Sequence, residues 1–441
     1  MKKINQYITG LLVTSLLFSC KPGLKEREVS SGSADFSRYV AVGNSLTSGY
    51  QDNALYQDGQ INSYPALLAR QFQLAGGGDF TIPYMPAGGG NDGSGNPRLV
   101  LAFTIPCNST TPGVSPIFDP NGFSELSNVS AQGPYNLVGV PGARAVDCNF
   151  PLYSSSFGNP FLGRFCQTPG TSTMISEALR SKPTFFSFWL GSNDVLLYAL
   201  GGAVTSTNPL SPARISDTAA VRTNIQIAID SLTSNGAKGV MANVPDITSI
   251  PYFTTIPYNG AVLTQDQATQ LNAIFSGSPI TWNKGANGFL IVDSASPGFF
   301  RHATSHDLIL LSTPQDSLSC AGWGTVKPLT DAYVLDSAEV AEIQTTIKQY
   351  NTIIKTIATQ KNLAHVDIYT YLKTFTSGII YNGISMNAKY VSGGAFSLDG
   401  VHPNQRGYAL IANEFIDVIN AKYGSTIPHV DPTRYQGILL P

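Results

Sequence analysis

Short apolar runs alternate along this chain with segments of helical periodicity. The runs are rich in β-branched and aromatic residues and predict strands at Tyr39–Val42, Leu137–Val140, Phe185–Leu190, Gly239–Val244, Phe289–Val292 and Ala364–Ile368. Apolar positions three and four residues apart predict helices at 65–72, 221–232, 340–357 and about 404–423, the third preceded by a capping box from Asp336 to Glu339. Strand and helix in repeated order predict an α/β fold with a parallel sheet covered on both faces. Ligands of such sheets bind beyond the carboxyl ends of the strands.

Two stretches interrupt this pattern. Residues 75–134 are rich in Gly, Pro, Asn and Ser, and residues 245–328 are irregular, with Pro next to aromatic residues. Long irregular segments within a compact domain are usually functional loops or disordered inserts. We therefore predict one domain over residues 38–441 that carries two loop insertions.

The first residues have the pattern of an export signal. Lys2 and Lys3 precede an apolar run, Ile8–Phe18, that is too short to span a bilayer. The sequence Leu-Phe-Ser-Cys that ends at Cys20 resembles the lipobox of a bacterial lipoprotein. The resemblance implies a signal peptide at 1–19, an acylated Cys20 and a flexible tether over 20–37, which would anchor the protein at a membrane of the bacterial cell envelope. An ordinary cleaved signal with an incidental Cys is the alternative.

Composition narrows the class of partner. The 441 residues carry 26 Lys and Arg against 28 Asp and Glu, a net charge of −2, which leaves no basic surface for a nucleic acid. Hydrophobic residues make up 42% of the chain, enough for a full core, and no later segment is long and apolar enough to span a bilayer. We expect an anchored monomer that needs no cofactor.

Four cysteines follow Cys20, and an even number in an oxidising compartment favours two disulfides. They are Cys107, Cys148, Cys166 and Cys320. Pairing Cys148 with Cys166 closes the shortest loop and leaves Cys107 for Cys320. Metal binding is the alternative, but the spacing of a metal-binding CxxC motif is missing.

Two distant polar motifs carry candidate chemistry. Ser45 follows the first predicted strand, where a nucleophile would face a ligand, although Gly-Asn-Ser could simply be a turn that ends the strand. Asp399 and His402 lie three residues apart just before the final helix. An Asp so placed can orient the imidazole, and the imidazole can take a proton from a Ser.

Four motifs in this order resemble the blocks of the GDSL, or SGNH, hydrolase family. The motif Gly43-Asn-Ser-Leu resembles block I, and Gly-Val-Pro-Gly142 resembles block II. The motif Gly-Ser-Asn193-Asp resembles block III, and Asp399-Gly-Val-His402 resembles block V. The resemblance extends from residue 39 to about 420. It implies a flavodoxin-like three-layer α/β/α sandwich with a parallel sheet of about five strands.

The resemblance also implies roles for individual residues. Ser45 would be the nucleophile, His402 the general base and then acid, and Asp399 the residue that orients His402. The backbone amides of Ser45 and Gly142 and the side chain of Asn193 would form the oxyanion hole. The chain departs from the family at Asn44, where an Asp is usual. Asn retains an acceptor for a turn hydrogen bond but lacks the charge, which leaves the pH profile open.

Two further motifs favour no chemistry. His302 and His306 have the spacing of a helical metal pair but lack the accompanying Glu, so we predict no metal site. The glycine-rich run 88–95 lacks the Lys-Ser/Thr ending of a phosphate loop, and its single carboxylate, Asp92, is too few for calcium.

Together these features predict a serine-dependent hydrolase of carboxylic esters, either acyl lipids or acylated glycans. A catalytically silent or glycan-binding surface lipoprotein on the same fold is one alternative. An acyltransferase is another, because transfer to a sugar passes through the same acyl-enzyme.

Overall fold

The computed structural model describes residues 28–208 and 211–441. The predicted signal peptide, Cys20 and residues 21–27 of the predicted tether lie outside the described residues. In the part of the chain that is described, no helix has both the length and the apolar character needed to cross a membrane.

The strands are β1 Tyr39–Gly43, β2 Leu99–Thr104, β3 Gly113–Phe118, β4 Leu137–Gly139, β5 Phe185–Trp189, β6 Lys238–Ala242, β7 Ala261–Leu263, β8 Gly285–Asn287, β9 Leu290–Val292, β10 Phe300–His302, β11 Leu308–Ile309, β12 Val334–Leu335, β13 Ala364–Val366, β14 Ile379–Tyr381 and β15 Ile384–Met386. The α-helices are α1 Ser45–Ser48, α2 Gln57–Ile61, α3 Tyr64–Gln73, α4 Pro160–Gly163, α5 Met174–Arg180, α6 Asn193–Leu200, α7 Thr218–Thr233, α8 Pro251–Thr254, α9 Gln265–Ile274, α10 Gln315–Cys320, α11 Ser337–Gln360, α12 Ile368–Ser377 and α13 Gln405–Tyr423.

Five strands form the predicted parallel sheet in the order β13-β6-β5-β1-β4. Every residue of β1 and β5 is buried, as expected for strands that have helices on both faces. Phe185 and Trp189 contact aromatic side chains of α3 and α13, whereas the alternate residues Phe186 and Phe188 are buried on the other face. On that second face α7 packs against α5 and α11. The predicted α/β fold is confirmed.

The register of the sheet determines where the functional motifs meet. Gly43 at the end of β1 is paired with Gly139 of β4 and with Trp189 of β5. The turns that follow these three strands therefore leave the sheet side by side. They contain the predicted blocks I, II and III, so the sheet itself brings these blocks together.

The four predicted helices correspond to α3, α7, α11 and α13. The capping box of α11 is present: Asp336 accepts hydrogen bonds from the amides of Ala338 and Glu339, and Glu339 accepts one from the amide of Asp336. Asn404 caps α13 by accepting from the amide of Gly407 at 3.0 Å. This cap, two residues after His402, fixes the start of the helix.

The strand predicted at Phe289–Val292 is not part of the central sheet. It forms β9, which pairs antiparallel with β10, and its Leu290 and Ile291 are buried in a second, smaller core. This core contains buried apolar residues between Ile256 and Val334. A fully apolar run indicates a strand buried on both faces but not the sheet to which it belongs.

One of the two predicted disulfides is present in the structure. Cys107, beyond β2, and Cys320, the last residue of α10, form a disulfide, whereas Cys148 and Cys166 are free thiols. The predicted bond between Cys148 and Cys166 is therefore wrong. The two buried thiols lie against different backbone carbonyl groups, Cys148 Sγ 3.9 Å from that of Asn224 and Cys166 Sγ 3.7 Å from that of Gly163. Nearness along the chain did not determine how these side chains point.

Candidate active site

Ser45 lies in a tight turn between β1 and α1. Asn44 caps α1 by accepting a hydrogen bond from the amide of Leu46 at 3.0 Å, and its Nδ2 atom is buried without a partner among the described residues. Gly43 is required by close packing, because a Cβ atom there would lie 2.7 Å from the carbonyl oxygen of Trp189. Asn44 thus retains the acceptor that the turn needs. As the first helical residue, Ser45 has an amide without an intrahelical acceptor.

A chain of two hydrogen bonds joins the three predicted triad residues. His402 Nε2 lies 2.8 Å from Ser45 Oγ, and His402 Nδ1 lies 3.0 Å from Asp399 Oδ2. Ser45 and His402 are 357 positions apart in sequence. This is the geometry in which a carboxylate orients an imidazole toward a hydroxyl group.

Backbone amides surround the carboxylate of Asp399. Its Oδ1 atom accepts from the amides of Val401 and His402, both at 2.8 Å, and its Oδ2 atom accepts from the amide of Asn53 at 3.0 Å. Burial opposes ionisation, but the charge of His402 and the hydrogen bonds from His402 and Asn53 outweigh it and hold the pKa of Asp399 below its usual value. The group facing His402 is therefore a carboxylate at neutral pH.

The predicted oxyanion-hole residues line the same cavity as the triad. Gly142 has a φ of +80°, a conformation that glycine adopts without a steric penalty. Asn193 Nδ2 donates to the carbonyl oxygen of Ala143 at 3.0 Å, and this bond uses one of its two N–H groups. The second N–H group remains available for an oxygen in the cavity.

The neighbouring residue, Asp194, connects blocks II and III. It is fully buried, and its Oδ2 atom accepts from the amide of Ala145 at 2.5 Å. Burial raises the pKa of Asp194 to about 6, although the hydrogen bond from Ala145 opposes the rise. Asn193 and Asp194 together hold the chain segment that contains Gly142. The sequence motif included Asp194, but periodicity and spacing gave it no role.

The cavity above the triad has a volume of about 520 Å³. Residues that the sequence analysis missed line it, among them Asn53, Asn159 and part of the glycine-rich run, Asp92–Ser94. Asn159 donates to the carbonyl oxygen of Pro141 at 2.8 Å and so supports the segment next to Gly142. An Asn-Pro pair at 159–160 indicates a helix start in the sequence, but its contact with Pro141 is visible only in the fold.

The remaining histidine motif contributes nothing to this site. Both ring nitrogens of His302 contact backbone carbonyl oxygens, Nδ1 that of Gly288 at 2.8 Å and Nε2 that of Thr281 at 3.1 Å. Among residues 28–208 and 211–441, no group of three His, Cys, Asp or Glu side chains could hold a metal ion.

Comparison with known proteins places this chain in a family. Residues 39–415 match the model of the GDSL-like lipase/acylhydrolase family. No curated protein matches the chain.

Solved structures similar to this one include a lipase/acylhydrolase from Enterococcus faecalis, with 13% identity over 89% of this chain and 98% of that chain and a TM-score of 0.33. A catalytic mutant of Axe2, an acetylxylan esterase from Geobacillus stearothermophilus, has 10% identity over 92% of this chain and 100% of that chain and a TM-score of 0.36. An extracellular lipase from Streptomyces rimosus has 12% identity over 87% of this chain and 98% of that chain and a TM-score of 0.33.

These structural similarities are too low to indicate a substrate for this chain. The family match is different in kind, because it covers most of the chain, from β1 into α13, and therefore both ends of the hydrogen-bonded chain from Ser45 to Asp399. The chain belongs to the GDSL-like lipase/acylhydrolase family and is, by that membership, a carboxylic-ester hydrolase.

Proposed function

We propose that the chain hydrolyses carboxylic esters through an acyl-enzyme formed on Ser45. The observation that carries the proposal is the hydrogen-bonded chain from Ser45 Oγ through the imidazole of His402 to the carboxylate of Asp399, with distances of 2.8 Å and 3.0 Å. The hydroxyl group faces a cavity large enough for a small ester, and Ser45 itself is only 6% exposed.

In the first half of the reaction, Ser45 Oγ attacks the carbonyl carbon while His402 Nε2 takes the hydroxyl proton. The C=O π bond breaks, and its electron pair moves to the oxygen. The tetrahedral intermediate then collapses: the bond to the alcohol oxygen breaks, and His402 returns the proton to that oxygen. Asp399 stabilises the imidazolium between these steps. In the second half, water takes the place of the alcohol and releases the acid.

The negative oxygen of the intermediate needs donors that are already in position. The amides of Ser45 and Gly142 and the second N–H group of Asn193 can supply them. A single donor of this type is worth about 2.7–4 kcal/mol of transition-state stabilisation. Because Asn193 is tied to Ala143, its amide group loses little freedom when the oxyanion forms.

Labelling with a fluorophosphonate tests the proposal, since this reagent phosphonylates an activated serine. We expect one label per chain, mapped to Ser45 by peptide mass spectrometry, and none in Ser45→Ala. Ser234→Ala, which removes an exposed hydroxyl group outside the cavity, should be labelled like the wild type. Hydrolysis of p-nitrophenyl esters should disappear in Ser45→Ala only.

A folded wild-type protein that is neither labelled nor active would contradict the proposal and favour the silent or binding alternative. Product analysis in the presence of a sugar acceptor separates hydrolysis from acyl transfer. Free acid as the main product is the expected result.

A further inference from the structure

The cavity above Ser45 has one apolar wall. Leu196, Leu197 and Leu200 of α6 line it, and their spacing of one, three and four residues places them along one side of the helix. The hydroxyl group of Tyr252 lies 3.4 Å from the carbonyl oxygen of Leu200 and closes this wall. Leu197 and Leu200 remain partly exposed, so an apolar ligand group could cover them.

A second wall, here called the polar wall, comes from the glycine-rich loop. Asp92 and Ser94 line the cavity there, together with Asn53. Backbone hydrogen bonds between Leu55 and Asn91, at 2.9 Å and 3.0 Å, hold the loop against the turn that contains Asn53.

The carboxylate of Asp92 shapes this loop. It accepts from the amides of Ser94 at 2.7 Å and Asn96 at 3.0 Å. Burial acts against its ionisation, but the hydrogen bonds from Asn96 and Ser94 outweigh burial and lower the pKa of Asp92. A fixed negative charge therefore lies on the polar wall at neutral pH.

Chemical complementarity decides which half of an ester faces which wall. Both walls adjoin the loop that carries His402, because the Asn53 amide is bonded to Asp399 and the Tyr252 amide donates to the carbonyl oxygen of Gly400 at 2.8 Å. An acyl chain is apolar and can cover the leucines. An alcohol with free hydroxyl groups can form hydrogen bonds with the side chains of the polar wall.

Charge restricts the alcohol further. Among the described residues that line the cavity there is neither Lys nor Arg, while Asp92 is ionised and Asp399 is paired with His402. A phosphate group on the alcohol would find no cation there and would be repelled by Asp92.

Resting on the proposed function, we propose that this site prefers esters of medium-length acyl chains with uncharged or cationic alcohols, and that it discriminates against phosphorylated alcohols. The acyl chain lies against Leu197 and Leu200, and the alcohol lies against Asp92 and Ser94.

The acyl half of the proposal is tested with p-nitrophenyl acetate, butyrate and hexanoate. We expect kcat/KM of the wild type to rise about fourfold for each methylene group that the leucines bury. Leu197→Trp should fill the wall and lower the ratio of hexanoate to acetate turnover by about tenfold or more. Leu74→Trp, which changes an exposed leucine outside the cavity, should keep the wild-type ratio. An equal ratio in Leu197→Trp and wild type would overturn this half.

The alcohol half is tested with butyryl esters of glycerol, choline and glycerol phosphate. The wild type should cleave the first two faster than the third. Asp92→Asn should narrow the ratio of choline to glycerol phosphate ester by about two- to fivefold, the effect of one partly exposed charge. Asp119→Asn removes a charge from the same insertion but outside the cavity and should leave the ratio unchanged. A ratio that Asp92→Asn does not alter would overturn this half.

Different results would contradict the proposed function and the proposed selectivity. If Ser45→Ala abolishes turnover while Leu197→Trp and Asp92→Asn keep the wild-type ratios, the proposed function stands and the proposed selectivity is wrong. If the folded wild type cleaves none of these esters, both are wrong.

Discussion

The carboxylate of Asp52 accepts a hydrogen bond from the backbone amide of Leu398 at 3.0 Å and so joins two segments that are 346 positions apart. In return, the amide of Asp52 donates to Ser397 Oγ at 3.0 Å, and the next amide, that of Asn53, reaches Asp399. The turn that follows α1 therefore holds the loop that carries Asp399 and His402. The position of His402 relative to Ser45 depends on this contact as well as on the hydrogen bonds of His402 to Ser45 and Asp399.

Asp52→Ala should lower kcat and leave KM nearly unchanged. Without Asp52 the Leu398 amide loses its acceptor, and the loop shifts His402 away from Ser45. A misplacement of the order of 1 Å costs up to about a hundredfold in rate. Steady-state kinetics on a soluble ester measures the split between kcat and KM.

Tyr56→Phe serves as the matched control for this variant. Tyr56 donates to the other carboxylate oxygen of Asp52 at 2.7 Å, so its loss leaves the bond to Leu398 intact. We expect a small effect on kcat. Equal losses of kcat in the two variants, or a change in Asp52→Ala that is confined to thermal stability, would contradict a positioning role for Asp52.

Asn193→Ala should reduce kcat/KM by about 10²- to 10³-fold, the usual cost of one oxyanion donor. Fluorophosphonate labelling of Ser45 should still occur, since the hydrogen-bonded chain to Asp399 is intact. Circular dichroism checks that the variant folds after the carbonyl of Ala143 loses its partner. A variant with wild-type kcat/KM would exclude Asn193 from the oxyanion hole.

The buried Asp194 predicts a pH dependence of stability. Its pKa, raised to about 6 from a usual value near 4, means that the folded state holds this proton more tightly than the unfolded state. Its contribution therefore makes the free energy of unfolding fall as pH rises from about 4 to 6 and stay level above that. The drop amounts to about 3 kcal/mol.

Asp194→Asn removes this titration while it keeps an acceptor for the amide of Ala145. Urea unfolding at a series of pH values should show a flatter profile for the variant between pH 4 and 6. Parallel profiles for variant and wild type would contradict the assignment of this titration to Asp194.

The cysteine assignment can be checked by alkylation without reduction. Cys148 and Cys166 should react only after unfolding, because both are buried and burial raises the pKa of both thiols. Cys107 and Cys320 should be recovered as one linked pair of peptides. Replacing both of these by Ser should lower the free energy of unfolding by about 3–5 kcal/mol. Recovery of a peptide pair that links Cys148 to Cys166 would contradict the structure.

The sequence predicted the central sheet and its four covering helices well, because these elements depend on local patterns of apolar residues. The five strands of the central sheet and the four amphipathic helices agree with the structure to within about two residues at most ends. Ser45, Asp399 and His402 were identifiable since each follows a strand or precedes a helix in a recognisable motif. The parallel order of the strands accounts for the position of Ser45, whereas Asp399 and His402 follow no strand of the central sheet and are held by contacts with the turn that contains Asp52.

The sequence did not identify the residues that position or line the site, and the reason is physical. Asp52, Asn53 and Asp92 act through hydrogen bonds between segments remote in sequence or across turns, and such bonds leave no periodicity. Cys148 and Cys166 show the same limit, because proximity in sequence does not fix the direction of a side chain. The sequence predicted the strand at 289–292 but not the strand with which it pairs. A buried strand has the same apolar pattern in the central sheet as in the small antiparallel sheet of β9 and β10.

Because the disulfide between Cys107 and Cys320 joins the two loop regions covalently, protein engineering cannot replace one of them without the other. The region before Cys107 contributes the wall with Asp92, and the region that reaches Cys320 includes Tyr252 and most of the second core. A graft that imports one region from another hydrolase would leave an unpaired thiol and separate the covalently joined surfaces. Transplanting selectivity onto this α/β frame therefore requires both regions to move as a single cassette.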